Sequence, residues 1–308
     1  MKSVVFGSAN IDRTYSVDHV VTGGETISAS NLTEFCGGKG FNQAIALARA
    51  GCEVFFAGAV GPDGAMLEAS LKENGVDTCC LKHVAAPTGH AIIQVMPDGQ
   101  NCIIISAGAN GMITHADVDS VLSAFSAGDL IVLQNEISSV DYIIDRAKEI
   151  GMIIALNPSP FDARIQTYDL SKVDYLIVNE VEGALLAGCE APSGIIERIH
   201  HLYPYGNILL TLGSEGSVFM SREGEVYTSG IYRSTAVDTT AAGDTFTGFF
   251  LAEALSSGNI ESALKSAAIA GGISVSRRGA SQSIPYLEEV RKVDPAQISE
   301  FSGQLVRK

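Results

Sequence analysis

The segment AVDTTAAGDTF at residues 236–246 places an aspartate directly behind a run of residues with little side chain. Ala241, Ala242 and Gly243 precede Asp244, and apolar residues follow at helical intervals. The first amides of a helix have no partner inside it, and small residues allow an anion to approach them. Asp244 can then act as a base beside that anion, or it can simply cap the helix. The run of small residues favours the anion site, because a cap does not need it.

Three other segments carry side chains that suit a polyhydroxylated ligand. GSANID (7–12) follows an apolar run, although an Asx turn would have a similar sequence. CGGKGFNQAIALARAG (36–51) places a lysine and an asparagine in the first turn of a predicted helix. Its glycine-rich entry matches neither the Walker pattern nor GxGxxG, so it is either a ligand loop or a plain turn. LQNE (133–136) adds a carboxylate at a strand end, where carboxylates are common. The candidates are Asn10, Asp12, Gly38, Lys39, Asn42 and Glu136.

Two further segments suit a nucleotide and its metal ion. In VNEVE (178–182), Asn179 and Glu182 are three residues apart on an opening helix and share a face. An asparagine with a carboxylate at this spacing suits the water shell of Mg²⁺, but acidic residues also stabilise a helix N-terminus by themselves. TLGSEG (211–216) predicts either a nucleotide loop, using Thr211, Ser214 and backbone amides, or a plain β-turn.

Around these segments, short apolar runs alternate with helical patterns. The apolar runs predict strands at 3–7, 53–60, 129–134, 152–157, 174–179 and 207–213. Helices are predicted at 40–50, 64–74, 115–126, 138–150, 180–188, 193–202, 244–256 and 260–276. This alternation predicts an α/β fold with a parallel sheet and helices on both of its faces. Ligand sites in such sheets lie at the carboxyl ends of the strands, where most of the candidate segments are.

Two segments depart from this rhythm. Residues 12–35 contain alternating stretches separated by Gly23 and Gly24, and residues 88–106 contain two alternating runs around Pro97-Asp98-Gly99. The second pattern is typical of a β-hairpin. We expect the two segments to form a small β-sheet lid, inserted in a single domain that spans residues 1–308.

The composition excludes several classes of function. The formal net charge of the 308 residues is −15, which repels a phosphate backbone and argues against nucleic-acid binding. No apolar run approaches the roughly 18 residues of a membrane span, and the start of the chain lacks a signal-peptide pattern. The cysteines form no CxxC and the histidines are scattered, so we expect reduced thiols and no zinc site. These features predict a cytoplasmic protein with small-molecule partners, no nucleic acid and no membrane.

The candidate segments, in this order, closely resemble the ribokinase branch of the PfkB carbohydrate kinase family. GGKGFNQA is similar to the family's first signature and DTTAAGDTFTGFF to its second. SAGAN (106–110), LNPSP (156–160) and TLGSEG also look like family segments, and the resemblance extends from GSANID to SRRGASQSIP at 276–285. It implies a Rossmann-like sheet with a β-strand lid that is commonly used for dimerisation. A homodimer through the lid is therefore expected.

The resemblance also implies a role for each candidate. Asp244 would be the general base, and the amides of Ala241, Ala242 and Gly243 would hold the charge on the transferred phosphoryl group. The sugar would be held by Asp244 together with Asn10, Asp12, Gly38, Lys39, Asn42 and Glu136. ATP would contact Asn179, Thr211, Gly213, Ser214, Gly216 and Gly243, while Asn179 and Glu182 would organise Mg²⁺. A monovalent cation, usually K⁺, would lie at Asp238, Thr240, Ser274, Arg277, Gly279 and Ser283.

The implied reaction is the ATP-dependent phosphorylation of a small sugar at its hydroxymethyl group, with D-ribose as the first candidate. The alternative is a kinase of the same family for another pentose, a ketose or a nucleoside. In the case of a nucleoside, His90 could stack on the base. Ala268 departs from the family, since relatives often place a polar or aromatic residue there, near the adenine. A non-catalytic sugar-binding regulator is a remote alternative, which the presence of Asp244 and the glycines disfavours.

Overall fold

The strands of the chain form two separate sheets in a computed structural model that describes residues 1–303. In chain order the strands are β1 (Ser3–Phe6), β2 (Asn10–Ser16), β3 (Asn31–Gly37), β4 (Val54–Val60), β5 (Leu81–His83), β6 (Gly89–Val95), β7 (Asn101–Ser106), β8 (Leu130–Gln134), β9 (Ile153–Asn157), β10 (Tyr175–Asn179), β11 (Asn207–Thr211), β12 (Ser217–Met220) and β13 (Val226–Ser229). The helices are α1 (Lys39–Arg49), α2 (Ala65–Glu73), α3 (His115–Leu122), α4 (Val140–Ile150), α5 (Glu180–Ala187), α6 (Pro192–Leu202), α7 (Ala242–Ser257), α8 (Ile260–Val275) and α9 (Leu287–Arg291).

The larger sheet has nine strands in the order β13-β12-β11-β10-β9-β8-β1-β4-β5. The six strands predicted from apolar runs are its parallel centre, so that part of the prediction is confirmed. Their central residues are almost completely buried, as expected for strands that are covered on both faces. Strands β12 and β13 add an antiparallel edge, and the short β5 closes the other edge.

Helices cover both faces of this sheet and bury two apolar clusters. One cluster lies beneath α1, α2, α7 and α8, and the other lies beneath α3, α4, α5 and α6. The eight predicted helices are all present, with bounds that differ from the prediction by a few residues at most. Since the strands of the centre are parallel, their carboxyl ends meet along one edge of the sheet. Helix α5 follows the end of β10 directly in sequence, and the first turns of α1 and α7 lie close to the same edge in space.

The smaller sheet, which we call the lid sheet, has the strand order β3-β2-β6-β7. Strands β6 and β7 are antiparallel and are joined by a turn at Met96–Gln100, in which Gly99 has a φ of 85°. The predicted hairpin is therefore confirmed. Strands β2 and β3 begin and end two residues outside the predicted 12–35, and the connection between them has no regular structure.

None of the helices within residues 1–303 is both long enough and apolar enough to cross a lipid bilayer.

Candidate active site

Asp244 lies in the first turn of α7 and is held by two side chains from α1. The Asn42 Nδ2 donates to Oδ2 of Asp244 at 3.0 Å, and the Gln43 Nε2 donates to Oδ1 at 2.9 Å. The side chain is only 8% exposed, and this burial raises the pKa of Asp244 against the opposing effects of Lys39 and the two amides. A carboxylate with a raised pKa and fixed oxygens is well suited to accept a proton.

The entry to α7 contains a strained backbone residue and an open surface. Ala241 adopts a left-handed conformation with φ of 59°, which costs an alanine roughly 1 kcal/mol or more. The Ala242 amide donates to the Thr239 carbonyl oxygen at 3.2 Å, so the expected contribution of that amide to an anion site would require this turn to open. Within the described residues, the amide of Gly243 has no backbone acceptor, and a Cβ added to Gly243 would meet no atom within 4 Å. The free space over the helix start is therefore centred on Gly243.

Lys39 is the positive charge of the site. Burial opposes its charged form, but the carboxylates of Asp244, Glu136 and Glu182 outweigh this and raise the pKa of Lys39. Its backbone amide also donates to Oε2 of Glu136 at 3.2 Å. The preceding Gly38 has a φ of 97°, and a Cβ there would lie 2.9 Å from the Ser8 carbonyl oxygen. Only glycine therefore allows α1 to start this close to the end of β1.

Asp12 reaches the site from the lid sheet. Burial, together with the nearby Glu136 carboxylate, raises the pKa of Asp12 to about 7. A Cβ at Gly37 on the neighbouring strand would lie 2.0 Å from Oδ2 of Asp12, so a side chain there would displace this carboxylate. Asn10, at the start of the same strand, is 5% exposed and accepts a hydrogen bond from Nδ2 of Asn110 at 2.8 Å.

Three polar residues of the site have no role in the sequence prediction. Ser8 donates its hydroxyl to Glu136, Asn110 holds Asn10 and also accepts from the Ala9 amide at 3.1 Å, and Gln43 holds Asp244. Ser8 and Gln43 lie in the segments GSANID and GGKGFNQA, whose predicted chemistry belongs to neighbouring residues. Asn110 lies in SAGAN, which is predicted only to resemble a family segment.

Asn42 has a buried acceptor that no group of the described residues uses. Its Nδ2 is bound to Asp244, while its Oδ1 is buried and has no hydrogen-bond partner among the described residues. An unpaired buried acceptor of this kind costs free energy unless a ligand hydroxyl or a water fills it. This observation supports Asn42 as a ligand contact.

Asn179 and Glu182 form a capping box at the start of α5. Oδ1 of Asn179 accepts from the Glu182 amide at 2.9 Å, and Oε2 of Glu182 accepts from the Asn179 amide at 3.1 Å. The helix-end interpretation of VNEVE is therefore confirmed. It does not exclude a ligand role, since the second carboxylate oxygen of Glu182 has no partner among the described residues and Glu182 acts electrostatically on both Lys39 and Asp244.

The loop after β11 is open on one side. Gly213 has a φ of 54°, and a Cβ there would meet nothing within 4 Å, while Ser214 is exposed. Thr211 stays close to the sheet, with its Oγ1 3.5 Å from the Val178 carbonyl oxygen. Gly216 has a φ of 107° and leaves no space for a Cβ, which would lie 2.1 Å from the Ser229 carbonyl oxygen. The loop thus offers an exposed backbone surface next to a rigid turn. Ala268 is buried within α8.

The residues expected around a monovalent cation do meet in space. Asp238 accepts from the Thr240 amide at 2.9 Å and from the Gly279 amide at 3.0 Å, which ties the loop before α7 to the loop after α8. Ser274 and Ser283 share a hydrogen bond of 2.8 Å between their hydroxyls. The guanidinium of Arg277 is instead bound to Glu289 at 2.6 Å, so only its backbone is available to this cluster.

His90 lies on the face of the lid sheet opposite to Asp12. In the register of β2 and β6, Asp12 pairs with Ala91 and Ile11 pairs with His90, and side chains alternate between the two faces of a strand. The suggestion that His90 stacks on a base in the sugar site is therefore wrong in this arrangement, and Ala91 takes the place next to Asp12.

Comparisons with known proteins agree over nearly the whole chain. Residues 1–287 match the family model described as pfkB family carbohydrate kinase. Ribokinase of Haemophilus influenzae is 34% identical over 295 residues, which cover 92% of this chain and 95% of that protein. Deoxyribokinase of Salmonella typhi is 32% identical over 298 residues, which cover 94% of this chain and 97% of that protein. Among solved structures, Arabidopsis thaliana ribokinase complexed with ribose and ATP is 31% identical, with a TM-score of 0.85. The match covers 94% of this chain and 97% of that chain. The expected fold, including the small separate sheet, is thus confirmed.

Proposed function

The chain belongs to the pfkB family of carbohydrate kinases and is an ATP-dependent sugar kinase, and we propose that it converts D-ribose and ATP to D-ribose 5-phosphate and ADP. The observation that carries this proposal is the position of Asp244. Its carboxylate is fixed by Asn42 and Gln43 beside the Lys39 charge, next to open space over Gly243.

In the proposed reaction, Asp244 takes the proton of the sugar hydroxymethyl group. The hydroxyl oxygen forms a bond to the γ-phosphorus, and the bond from this phosphorus to the β,γ-bridging oxygen breaks, so that ADP leaves with the electron pair. The free amide of Gly243 and the helix dipole of α7 stabilise the charge that develops on the transferred phosphoryl group. A carboxylate suffices as the base because the proton leaves late in such a loose transition state.

The sugar is proposed to lie between the lid sheet and the first turn of α1. Asp12 and Glu136 accept from its hydroxyls, Lys39 donates to them, and the free Oδ1 of Asn42 accepts from one more. Gly38 lets the sugar approach the backbone, and Asn10, which is anchored by Asn110, closes the site at the base of β2. A small polyol with adjacent hydroxyls fits this set of alternating donors and acceptors.

The nucleotide is proposed to lie along the loop after β11. The exposed backbone at Gly213 and Ser214, the neighbouring Thr211, and the turn fixed by Gly216 support this position. Asn179 and Glu182 fit Mg²⁺ through its bound waters, because oxygen ligands suit this ion and Glu182 retains a free carboxylate oxygen. When bound, Mg²⁺ would neutralise charge on the phosphates.

A monovalent cation such as K⁺ is proposed next to the start of α7. The donor set fits a weakly charged ion, since it contains one carboxylate, Asp238, and otherwise hydroxyl and carbonyl oxygens from the segments around Thr240, Ser274, Gly279 and Ser283. Within residues 1–303 there is no group of three or more His, Cys, Asp or Glu that could hold a metal ion, which is consistent with this chemistry. The cation would hold the two loops together without contact with the sugar.

At the level of the whole chain, we propose one kinase domain, with the lid sheet as its lid and as the contact between two copies of the chain. The exposed apolar side chains of β7 support the second part of this proposal. A cytoplasmic location stays a prediction of the sequence.

A related substrate, 2-deoxy-D-ribose, is the second candidate. The similarity to deoxyribokinases is nearly as high as the similarity to ribokinases, at 32% and 34% identity. A nucleoside is less favoured, because His90 lies on the wrong face of the lid sheet to stack on a base in the site.

The test is an ADP-release assay on purified protein with D-ribose, 2-deoxy-D-ribose, other pentoses, ketohexoses and nucleosides. We expect the highest kcat/KM with D-ribose. A higher value with 2-deoxy-D-ribose would move the assignment to the second candidate, and turnover with nucleosides only would reject both. An absence of turnover with every compound would favour the non-catalytic sugar-binding regulator.

A further inference from the structure

Gln43 touches the proposed base and has no free polar atom left for a ligand. We propose that Gln43, oriented by Gln134, is a positioning residue that fixes the carboxylate of Asp244 for proton transfer. The inference rests on the proposed function, because it takes Asp244 as the base.

The side-chain amide of Gln43 is completely used inside the protein. Its Nε2 donates to Oδ1 of Asp244 at 2.9 Å and lies 3.3 Å from Oδ1 of Asn157, while its Oε1 accepts from Nε2 of Gln134 at 2.7 Å. Gln43 and Gln134 are both 0% exposed. An amide offers two N–H groups and one carbonyl oxygen, so each group of Gln43 has a partner and only one orientation satisfies all of them.

The charge of Asp244 sets the direction of this network. An ionised carboxylate only accepts hydrogen bonds, so Gln43 must turn its Nε2 toward Asp244 and its Oε1 toward Gln134. Gln134 must then present its own Nε2, and its Oε1 remains without a partner among the described residues. This unpaired buried oxygen of Gln134 reduces the free energy of unfolding, while the Nε2 of the same side chain holds Gln43 in one orientation.

The anchor of the network is the rigid sheet. Gln134 ends β8 and pairs in register with Asn157 at the end of β9. The Oε1 of Gln134 packs over Gly7, where a Cβ would lie only 2.1 Å away. Asn157 in turn donates from Nδ2 to the Ile177 carbonyl oxygen at 2.9 Å. The orientation of Asp244 is therefore tied through Gln43 to the ends of β8 and β9 and, through Asn157, to β10.

Asn42 and Gln43 are adjacent in sequence but differ in what they can do. Asn42 holds Oδ2 of Asp244 and has a buried Oδ1 without a partner among the described residues, whereas Gln43 holds Oδ1 of Asp244 and has no unpaired polar atom. Lys39 and Glu182 supply the charges that act on Asp244, and these remain when Gln43 is changed. Loss of Gln43 should hence disturb the orientation of the base much more than the binding of the sugar.

The test measures kcat and sugar affinity separately in Gln43→Leu, which removes the amide at similar size. We expect kcat to fall between about tenfold and a hundredfold, because a small misplacement of a catalytic group has effects of this order. The dissociation constant of D-ribose, measured by calorimetry without ATP, should stay close to that of the wild type. Gln134→Leu should also lower kcat, but by less, because Gln43 then keeps its hydrogen bond to Asp244 and loses only the one from Gln134. If Gln43→Leu does not fold, Gln43→Met keeps an unbranched, uncharged side chain of similar length, removes the donor and should show the same loss of kcat.

Asn207→Leu is the matched control for loss of a side-chain amide. Asn207 bonds the backbone of Asp174 and Arg222 at the amino-terminal edge of the sheet, so we expect a lower melting temperature with wild-type kcat. A similar fall of kcat in this control would overturn the inference, as would wild-type kcat in folded Gln43→Leu or a loss confined to sugar affinity.

The Asp244→Asn background separates this inference from the proposed function. Groups that act as a unit are not additive, so Gln43→Leu combined with Asp244→Asn should be no slower than Asp244→Asn alone. A full additional loss in the double variant would overturn the positioning role. Retained turnover in Asp244→Asn would instead reject Asp244 as the base, whatever the Gln43 variants show.

Discussion

Asp12 is a half-buried carboxylate and Asp244 is a buried one, and the groups that surround them differ. Burial raises the pKa of both, and the nearby Glu136 adds to the effect at Asp12, whereas Lys39 and two amide donors oppose it at Asp244. Hydrogen-bond donors and a positive charge favour the ionised form that a base requires. Among the described residues no side chain donates to Asp12, so the hydroxyls of the proposed sugar would be its hydrogen-bond donors.

The first prediction concerns the base. Asp244→Asn keeps the shape of the side chain and removes its ability to accept a proton, so kcat should fall by about a hundredfold to ten-thousandfold. The dissociation constant of the sugar, measured by calorimetry, should change little, since Asp12, Lys39 and Asn42 remain. Asp174→Asn is the control, because Asp174 accepts from the Ile154 amide at 2.8 Å, away from the carboxyl edge. A kcat within a fewfold of the wild type in Asp244→Asn would remove Asp244 from the mechanism.

The second prediction concerns pH. The pKa of Asp12 is about 7 in the folded chain against an ordinary value of 3.8, so the folded state binds more protons than the unfolded state between these values. Stability from this group is fully present below the ordinary value and is lost as the pH rises through about 7. In ligand-free protein, the melting temperature should therefore fall less from pH 5 to pH 8 in Asp12→Asn than in the wild type.

The affinity for the sugar should also depend on the ionisation of Asp12, but it should increase as the pH rises, whereas stability decreases. The ionised carboxylate accepts hydroxyl hydrogen bonds more strongly, so the KM for the sugar should fall as the pH rises through about 7. In Asp12→Asn the KM should be higher and nearly independent of pH over this range. An unchanged pH dependence of KM in the variant would contradict the role of Asp12.

At the scale of the elements, the sequence was sufficient for the parallel centre and for α1 to α8, whereas the short α9 was not predicted. Continuous runs of Val, Ile and Leu occur where strands are covered on both faces, and this pattern is strong enough to locate β1, β4, β8, β9, β10 and β11. Strands β5, β12 and β13 were missed, because each has only three or four residues, too few for an apolar run or an alternating pattern to stand out.

The site was predictable in its position and incomplete in its contacts. Strand ends and helix starts indicated where polar residues would meet, since the topology brings these ends together. The pairing of Gln43 with Asp244 joins residues 201 positions apart in the chain, and no local pattern encodes such a contact. The sequence also did not show that the Ala242 amide is already bonded to Thr239, because this local turn depends on a left-handed Ala241, a conformation that an alanine does not predict.

The third prediction concerns the first turn of α7. Gly243 has an ordinary helical backbone and space for a Cβ, so Gly243→Ala should fold with an unchanged or higher melting temperature. The added methyl group would occupy the space proposed for the transferred phosphoryl group, and kcat should fall by about a hundredfold. Gly194→Ala in α6 is the matched control, since its Cβ would meet only the Cys189 Sγ at 3.4 Å. A fully active and more stable Gly243→Ala would show that this space is not used.

At the scale of the whole molecule, the proposed site takes residues from two sheets. The large sheet and its helices hold the proposed base Asp244, the Lys39 charge and the proposed nucleotide loop, whereas Asp12 comes from the lid sheet. Because β7 forms an edge of the lid sheet, its unpaired backbone groups and exposed isoleucines are open to another chain. A second chain bound to β7 would also stabilise the lid sheet and thus the position of β2, which carries Asp12.

The last prediction tests the proposed dimer through Ile104, which is 58% exposed at the centre of β7 and lies between the similarly exposed Ile103 and Ile105. Ile104 points to the face of the lid sheet opposite to Asp12, so Ile104→Glu adds a charge to the proposed contact without entering the sugar site. In sedimentation experiments the wild type should be a dimer of 32.3 kDa chains and the variant a monomer. The KM of the variant for the sugar should rise, because the lid strand with Asp12 loses its support.

The matched control for that experiment is Leu202→Glu, which places the same charge on an exposed apolar residue at the end of α6. This variant should remain a dimer with the wild-type KM. A monomeric wild type would reject the dimer, and a dimeric Ile104→Glu would place the contact elsewhere on the chain. If Ile104→Glu is monomeric but keeps the wild-type KM, the lid sheet holds Asp12 in place without help from a second copy, and the link between dimerisation and sugar binding is lost.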